Sequence, residues 1–206
     1  MKHELVIVGA LETNCYLAYD ARTLECAIID PGAEPEKIFP AISHLGLKPT
    51  MILNTHGHTD HVGANLDMKE RFDVPLLIHR LDLPFLEAMK DSELRLLLGA
   101  KESPAPDGFL EDGQVVAVGK ASFVVIHLPG HSPGSVGFHG HGTLFSGDTL
   151  FSEGVGRTDL PGGSRKDLER SIRTKLHTLP PKTLVLPGHG PLTTIGREIE
   201  INPSLT

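Results

Sequence analysis

The segment His56-Gly57-His58-Thr59-Asp60-His61 concentrates three imidazoles and a carboxylate within six residues. Neutral imidazole nitrogen and carboxylate oxygen are the donors that zinc, iron and manganese take. An irregular loop can turn alternate side chains to different sides, so His56 and His58 can serve one ion while Asp60 and His61 serve a second. Gly57 and Gly63 remove bulk where backbone must pass close to such a site. Three further residues share one local grammar, an apolar run, a glycine, then a single donor. They are His131 in Leu128-Pro129-Gly130-His131, Asp148 in Phe145-Ser146-Gly147-Asp148 and His189 in Leu186-Pro187-Gly188-His189. Any one of these alone reads as a turn residue. Together with the six-residue cluster they read as a metal site, in which a carboxylate such as Asp148 can bridge two ions through its two oxygens.

Donors of this kind need rigid elements beneath them, and the apolar periodicity supplies candidates. Runs at 5–8, 16–19, 27–29, 51–53 and 76–79 have strand character, and 35–45, 64–72 and 83–98 have helical spacing. The second half repeats the style, with strands at 114–118, 122–127, 136–139, 143–146 and 183–186 and a helix at 166–176. The proline-rich stretch 103–106 is a surface loop, too short for an interdomain linker. Each donor falls where a strand ends. Two β-rich halves with flanking helices predict an α/β protein in the wide sense, an αββα sandwich of two mixed sheets packed face to face and flanked by helices.

Composition narrows the classes of function. The 206 residues carry a net charge of −7, which argues against a nucleic-acid-binding surface. No tract is apolar enough for a membrane span, and the short apolar run before Glu12 is no secretory signal. Cys15 and Cys26 are too few for a disulfide framework and lie in apolar strands, as small core residues do; a reducing, cytoplasmic location is expected. Twelve histidines beside no tryptophan again point to metal chemistry. One domain spanning 1–206 is expected, and the sequence carries no readable oligomeric state.

The stretch Thr55-His56-Gly57-His58-Thr59-Asp60-His61-Val62-Gly63 resembles the signature of the metallo-β-lactamase-fold hydrolases, HxHxDH followed later by His, Asp and His. The resemblance covers nearly the whole chain and is strongest toward small bacterial glyoxalase II-like proteins, hydroxyacylglutathione hydrolases by activity. Gly147-Asp148-Thr149-Leu150-Phe151-Ser152-Glu153-Gly154-Val155-Gly156-Arg157-Thr158-Asp159 and Pro187-Gly188-His189-Gly190-Pro191-Leu192-Thr193-Thr194 support the narrower likeness. It implies the αββα fold. It also implies His56, His58 and His131 on one metal, Asp60, His61 and His189 on a second, and Asp148 between them, with Asp60 a catalytic residue as well as a ligand. Asp30 would support the histidine loop, unless it simply forms a turn. Many class B β-lactamases carry Cys where this chain has Asp148, so antibiotic hydrolysis is not expected. Long glyoxalase II enzymes add a C-terminal helical domain that grips glutathione, for which the residues after His189 leave no room.

The activity implied is hydrolysis of small-molecule thioesters, hydroxyacylglutathione first among them, by a hydroxide made available at neutral pH between two divalent ions. Zinc is the expected metal, with iron or manganese as alternatives. A thiolate, with a pKa near 8.5, leaves without much general-acid help. Persulfide dioxygenases, which use a single iron held by two His and one Asp, share the Gly-Arg-Thr-Asp stretch and give the alternative activity. A metal-binding module without turnover is disfavoured because no donor is missing. Arg157 would organise the mouth of the site or meet an anionic substrate, or else pair with Asp159 and brace its loop. Arg165, Lys166 and Arg197 are candidate contacts for substrate carboxylates, or else solvated surface charge. His79, His127, His139, His141 and His177 have no motif context.

Overall fold

The chain opens with antiparallel strands β1 (Lys2–Val8), β2 (Thr13–Tyr19) and β3 (Glu25–Ile29), then crosses through α1 (Pro35–His44) to β4 (Lys48–Leu53), parallel to β3. The computed structural model describes residues 1–205. Helices α2 (Thr59–Val62) and α3 (Asn65–Phe72) lead to β5 (Leu76–His79). Helices α4 (Leu83–Ala88) and α5 (Glu93–Leu97) lead on to β6 (Gly108–Leu110), completing a mixed sheet in the order β1-β2-β3-β4-β5-β6. In the second sheet β7 (Val115–Val118), β8 (Ala121–His127), β9 (Val136–Gly140) and β10 (Thr143–Gly147) run antiparallel in succession. A small hairpin, β11 (Leu150–Phe151) and β12 (Gly154–Val155), precedes α6 (Arg165–Thr174). Strand β13 (Leu184–Pro187) then adds parallel to β10, with β14 (Thr193–Thr194) at the edge before α7 (Ile195–Ile201).

Strands β3, β10 and β13 are buried along nearly their whole length because both faces of the sheet are covered there, whereas Ile7 of β1, Val115 of β7 and Val124 of β8 stay exposed. Along β2 and β3, Tyr16, Ala18, Ala27 and Ile29 face the second sheet and meet Phe123, Val125, Phe138 and Phe145. Their neighbours Cys15, Leu17, Cys26 and Ile28 face the other way, onto Ile38 and Ile42 of α1 and Met68 of α3. On the far side, Leu144 and Val185 of the second sheet pack on Leu168 and Ile172 of α6. The result is four layers, an αββα sandwich of two mixed sheets. Both cysteines are buried and free, and burial pushes the Cys26 thiol up to about 12. Among the described residues no helix is long and apolar enough to cross a membrane.

Three features differ from the periodicity. The helical stretch 83–98 is broken into α4, a 3₁₀ turn at Met89–Asp91 and α5, because Ser92 is extended and its side chain caps α5 by accepting from Arg95 N. Helix α6 stops at Thr174 and a 3₁₀ turn, Leu176–Thr178, follows. The short elements β6, β11, β12, β14 and the C-terminal α7 were not foreseen: two or three residues show no period, and α7 begins only six residues after His189.

One carboxylate ties the two sheets together at the end away from the histidines. Asp20, after β2, accepts from Arg22 N at 2.8 Å and from Lys120 N, in the β7–β8 turn, at 2.7 Å. These backbone donors hold its carboxyl below the usual aspartate range. A depressed folded pKa stabilises the fold above the unfolded value, about 3.9, and that stability is lost as pH falls through the folded value. Asp20→Asn, which turns an amide N–H toward one of two N–H donors, is expected to melt lower than the parent at pH 7. The gap should shrink at pH 3 and below, where the parent's carboxyl is also losing charge. Thermal melts across that range check it; a gap that widens in acid would contradict the clamp.

Candidate metal centre

The seven donors of the sequence motif meet at one edge of the sandwich, five on loops at strand ends and Asp60 and His61 on the short helix α2, in place of the irregular loop expected there. His56, His58, Asp60 and His61 follow β4, His131 follows β8, Asp148 follows β10 and His189 follows β13. They form two clusters, His56-His58-His131 and Asp60-His61-His189, each with one donor atom per residue within 4.8 Å of the others. Asp148 lies between them, with Oδ1 3.4 Å from His61 Nε2 and Oδ2 3.6 Å from both His131 Nε2 and His189 Nε2.

The outer nitrogens of four rings are already engaged, which fixes where their lone pairs point. His131 Nδ1 donates to Arg157 O at 2.8 Å and His189 Nδ1 to Leu11 O at 2.9 Å. His61 Nδ1 donates to Asp30 Oδ2 at 3.0 Å. Thr55 Oγ1 gives its own proton to Asp30 Oδ2 and therefore accepts from His56 Nδ1, 3.1 Å away. Each of these rings thus turns its Nε2 inward. His56 Nε2 is buried with no hydrogen-bond partner, as is Asp148 Oδ1. His58 Nδ1 stands 2.8 Å from His131 Nε2, and His61 Nε2 3.2 Å from His189 Nε2.

Two ring nitrogens this close need a proton or a metal cation between them, because bare lone pairs repel. Charge points the same way. Burial and then the neighbouring imidazoles hold His56 well below its usual value, and burial brings His58 down to about 4, so these rings are neutral. Burial would raise the Asp60 carboxyl, but His61 and His189 outweigh it and keep it ionised. Burial would lower His61 and His189 too, but Asp148 and Asp60 outweigh it and hold both rings above the usual histidine value, so this second set calls for positive charge. Imidazoles, two carboxylates and orphaned inward atoms fit divalent metal ions. A third grouping, Asp30-His56-His61, is close enough by distance. Its carboxylate, however, is spent on Thr55 N, Thr55 Oγ1 and His61 Nδ1, so Asp30 holds the histidine loop from behind.

Supporting contacts that the sequence did not disclose are long-range. Asp82, just before α4, leaves that helix uncapped and accepts from Gly57 N at 2.8 Å, Ser132 Oγ at 2.6 Å and Gly134 N at 2.6 Å. It thereby joins the His56–His58 loop to the His131 loop. Asn14 Nδ2 donates to Pro187 O and Gly190 O, and Tyr16 OH to Pro187 O, which anchors the turn bearing His189. Gly188 packs against Asp148 and His61, where an added Cβ would come within 2.7 Å of His61 Cε1. Glu198 of α7, buried, accepts from Glu153 N and Asn202 Nδ2, each at 2.8 Å, while Asn202 Nδ2 also reaches Gly154 O at 3.0 Å. The hairpin β11–β12 beside the site is therefore fastened to the C-terminal helix.

The cations chosen from sequence separate. Arg157 lines the cavity above the histidines, and its Nε and Nη2 grip both oxygens of Asp159 at 2.8 and 2.7 Å. Arg165 and Lys166 do not share that cavity. As the first residues of α6 they project elsewhere, Arg165 to Glu169 and the Ser204 carbonyl, Lys166 along a groove beside Arg170. Arg197 pairs with Glu153. His79 and His127 stack on each other at 4.2 Å between ring centroids, away from the cavity.

Comparison with known proteins agrees with this geometry. A family model described as the metallo-beta-lactamase superfamily matches residues 8–189. The chain is 39% identical over 209 residues to the hydroxyacylglutathione hydrolase GloC of Haemophilus influenzae, covering 100% of this chain and 98% of that one. It is similar to the crystal structure of the B3 metallo-beta-lactamase BLEG-1, with a TM-score of 0.92, 38% identity and full coverage of both chains. It is also similar to TTHA1623 in a di-iron-bound form, with a TM-score of 0.89, 44% identity and coverage of 97% and 98%.

Asp30 is a test of the support beneath these donors. Asp30→Ala strands two buried Thr55 donors and His61 Nδ1, each at a cost of about 1–3 kcal/mol, so the metal-free protein should lose about 3 kcal/mol or more of unfolding free energy. Urea titration in chelator checks this; a loss under about 1 kcal/mol would mean that water replaces the carboxylate.

Proposed function

The chain belongs to the metallo-beta-lactamase superfamily of hydrolases, and we propose that it is a dinuclear metal-dependent hydrolase of small thioesters, with hydroxyacylglutathione as the first substrate to test. The observation that carries the reading is the pair of inward-facing donor sets with Asp148 between them. In this reading His56 Nε2, His58 Nδ1 and His131 Nε2 hold one ion, Asp60, His61 Nε2 and His189 Nε2 hold the other, and Asp148 spans both. Two bound divalent ions, zinc by preference and iron or manganese as alternatives, supply Lewis-acid polarisation of a carbonyl and activation of water at neutral pH.

The protein's own part is to fix this array and shape the space above it. Thr13 Oγ1 donates to Asp60 Oδ2 at 3.3 Å and orients the carboxylate assigned here as catalytic. Asp30 and Asp82 keep the loops from opening as charge changes at the site. Outside the donor sets, the polar residues described along the cavity are Thr59 and Arg157, neither of them an acid near neutral pH. A thioester suits such a site, because its thiolate departs unprotonated whereas an amide nitrogen needs a proton. The likeness to GloC supports the same substrate class.

Metal-replete protein is expected to hold close to two ions per chain and to cleave lactoylglutathione, with a β-lactam assayed in parallel as a control. Asp148→Ala should lower occupancy of both sets and cut turnover by about a hundredfold or more, whereas His189→Ala should chiefly empty one set. Elemental analysis with steady-state kinetics checks both variants. Full and equal occupancy in the two would overturn the assignment, and one tightly held iron with oxygen uptake on a persulfide would replace hydrolysis by dioxygenation.

A further inference from the structure

The space above the donor sets is a cavity of about 650 Å³, within the size range of small-molecule sites. Its floor is polar and its walls are not. Leu11 comes from the β1–β2 turn, Leu94 from α5, Phe151 and Val155 from the hairpin and Leu160 from the loop after it. Four separate segments therefore each place an apolar side chain around one opening. Leu11 and Leu94 are about half exposed there, at 51% and 52%, a poor use of leucine unless something covers it. The ring of Phe151 stands edge-on to His189 with 6.3 Å between centroids, so the apolar wall reaches down to the donors.

The same lining is poor in unpaired positive charge. Among the described residues along it, Arg157 is the single Lys or Arg, and its Nε and Nη2 are already engaged by Asp159 in an exposed pair. The protein as a whole is acidic, at −7. A ligand recognised through carboxylates, as a glutathione moiety would be, finds along this lining a single cation already paired with Asp159, whereas an alkyl or aryl group finds five apolar side chains.

Resting on the thioester reading above, we propose that this cavity selects its substrate by an apolar group next to the scissile carbonyl, and that Leu94 and Phe151 are the specificity-determining residues. The substrate class is a medium-chain or arylalkyl thioester. Glutathione is then tolerated as a leaving thiol and contributes little binding.

The test uses the full chain in two arms. In the first, metal-replete protein hydrolyses N-acetylcysteamine thioesters from acetyl to octanoyl, together with hexanoyl-glutathione. Because a fully buried methylene is worth about fourfold and this cavity is open on one side, kcat/KM should rise about twofold per added methylene. Hexanoyl-glutathione and hexanoyl-N-acetylcysteamine should differ by less than about threefold, and lactoylglutathione should show a KM near or above about 1 mM. In the second arm, calorimetry measures binding of non-hydrolysable S-alkyl thioethers to the metal-free protein, where the octyl compound should bind at least about tenfold tighter than the ethyl one. Leu94→Ser and Phe151→Ser should flatten the chain-length dependence in both arms.

A flat or falling chain-length series, or a preference above about tenfold for the glutathione thioester, would overturn the proposal. So would an undiminished slope in both variants. Length-dependent binding without any thioester turnover would leave apolar selection standing and discard the thioesterase reading; turnover without length dependence would do the reverse.

Discussion

Ring nitrogens facing one another across less than 3.3 Å, a spacing that needs a proton or a metal cation between them, are the constraint on which the rest of the structure depends. Left alone, such an arrangement would spread, because each ring could rotate or take up a proton. Here rotation is blocked, and proton uptake is favoured only at His61 and His189, beside Asp60 and Asp148. Backbone carbonyls, Asp30 and Thr55 engage four rings from outside, and burial keeps His56 and His58 neutral. The protein stores an electrostatic demand at this edge of the sandwich and meets it only when a cation arrives. Much of what surrounds the site serves to hold that demand in place.

The two sheets divide this labour. The first contributes the histidine loop after β4 and the carboxylate of Asp30; the second contributes His131, Asp148 and His189. Neither sheet alone assembles a complete donor set, since His131 completes the first cluster and His189 the second. Packing of Tyr16, Ile29 and Leu53 against Phe123, Phe138 and Phe145 therefore sets the distance between halves of each set. Asp82 and Asn14 then trim that distance locally by hydrogen bonds that cross from one half to the other.

How much of this was legible in the sequence follows from separation along the chain. The donors stood out because four crowd into six residues and the other three repeat a short pattern, apolar run, glycine, donor, and the layer architecture showed in the alternation of strand and helix lengths. Asp82 was invisible because its partners lie 25, 50 and 52 residues away and nothing about an aspartate before Leu83-Pro84 distinguishes a cap from a clamp. The apolar walls were hidden for the same reason, as Leu11, Leu94 and Phe151 belong to unrelated segments. Arg165 and Lys166 illustrate the limit of charge alone: it marks them as candidates, but α6 carries both outside the cavity lining. Shape around a site is a property of the assembled fold, while donor chemistry is a property of short words in the chain.

The buried carboxylate of Glu198 has a consequence for how the molecule moves. It and Asn202 bind the backbone of the hairpin turn at Glu153 and Gly154, so α7 and the hairpin open together or not at all. Amide protons of the two elements should then exchange with solvent as one cooperative unit, although some 45 residues part them in sequence. The wall of the cavity thus inherits the fraying rate of the last helix. Whatever steadies or loosens the C-terminal turn is transmitted, through one side chain, to the place where a ligand would rest.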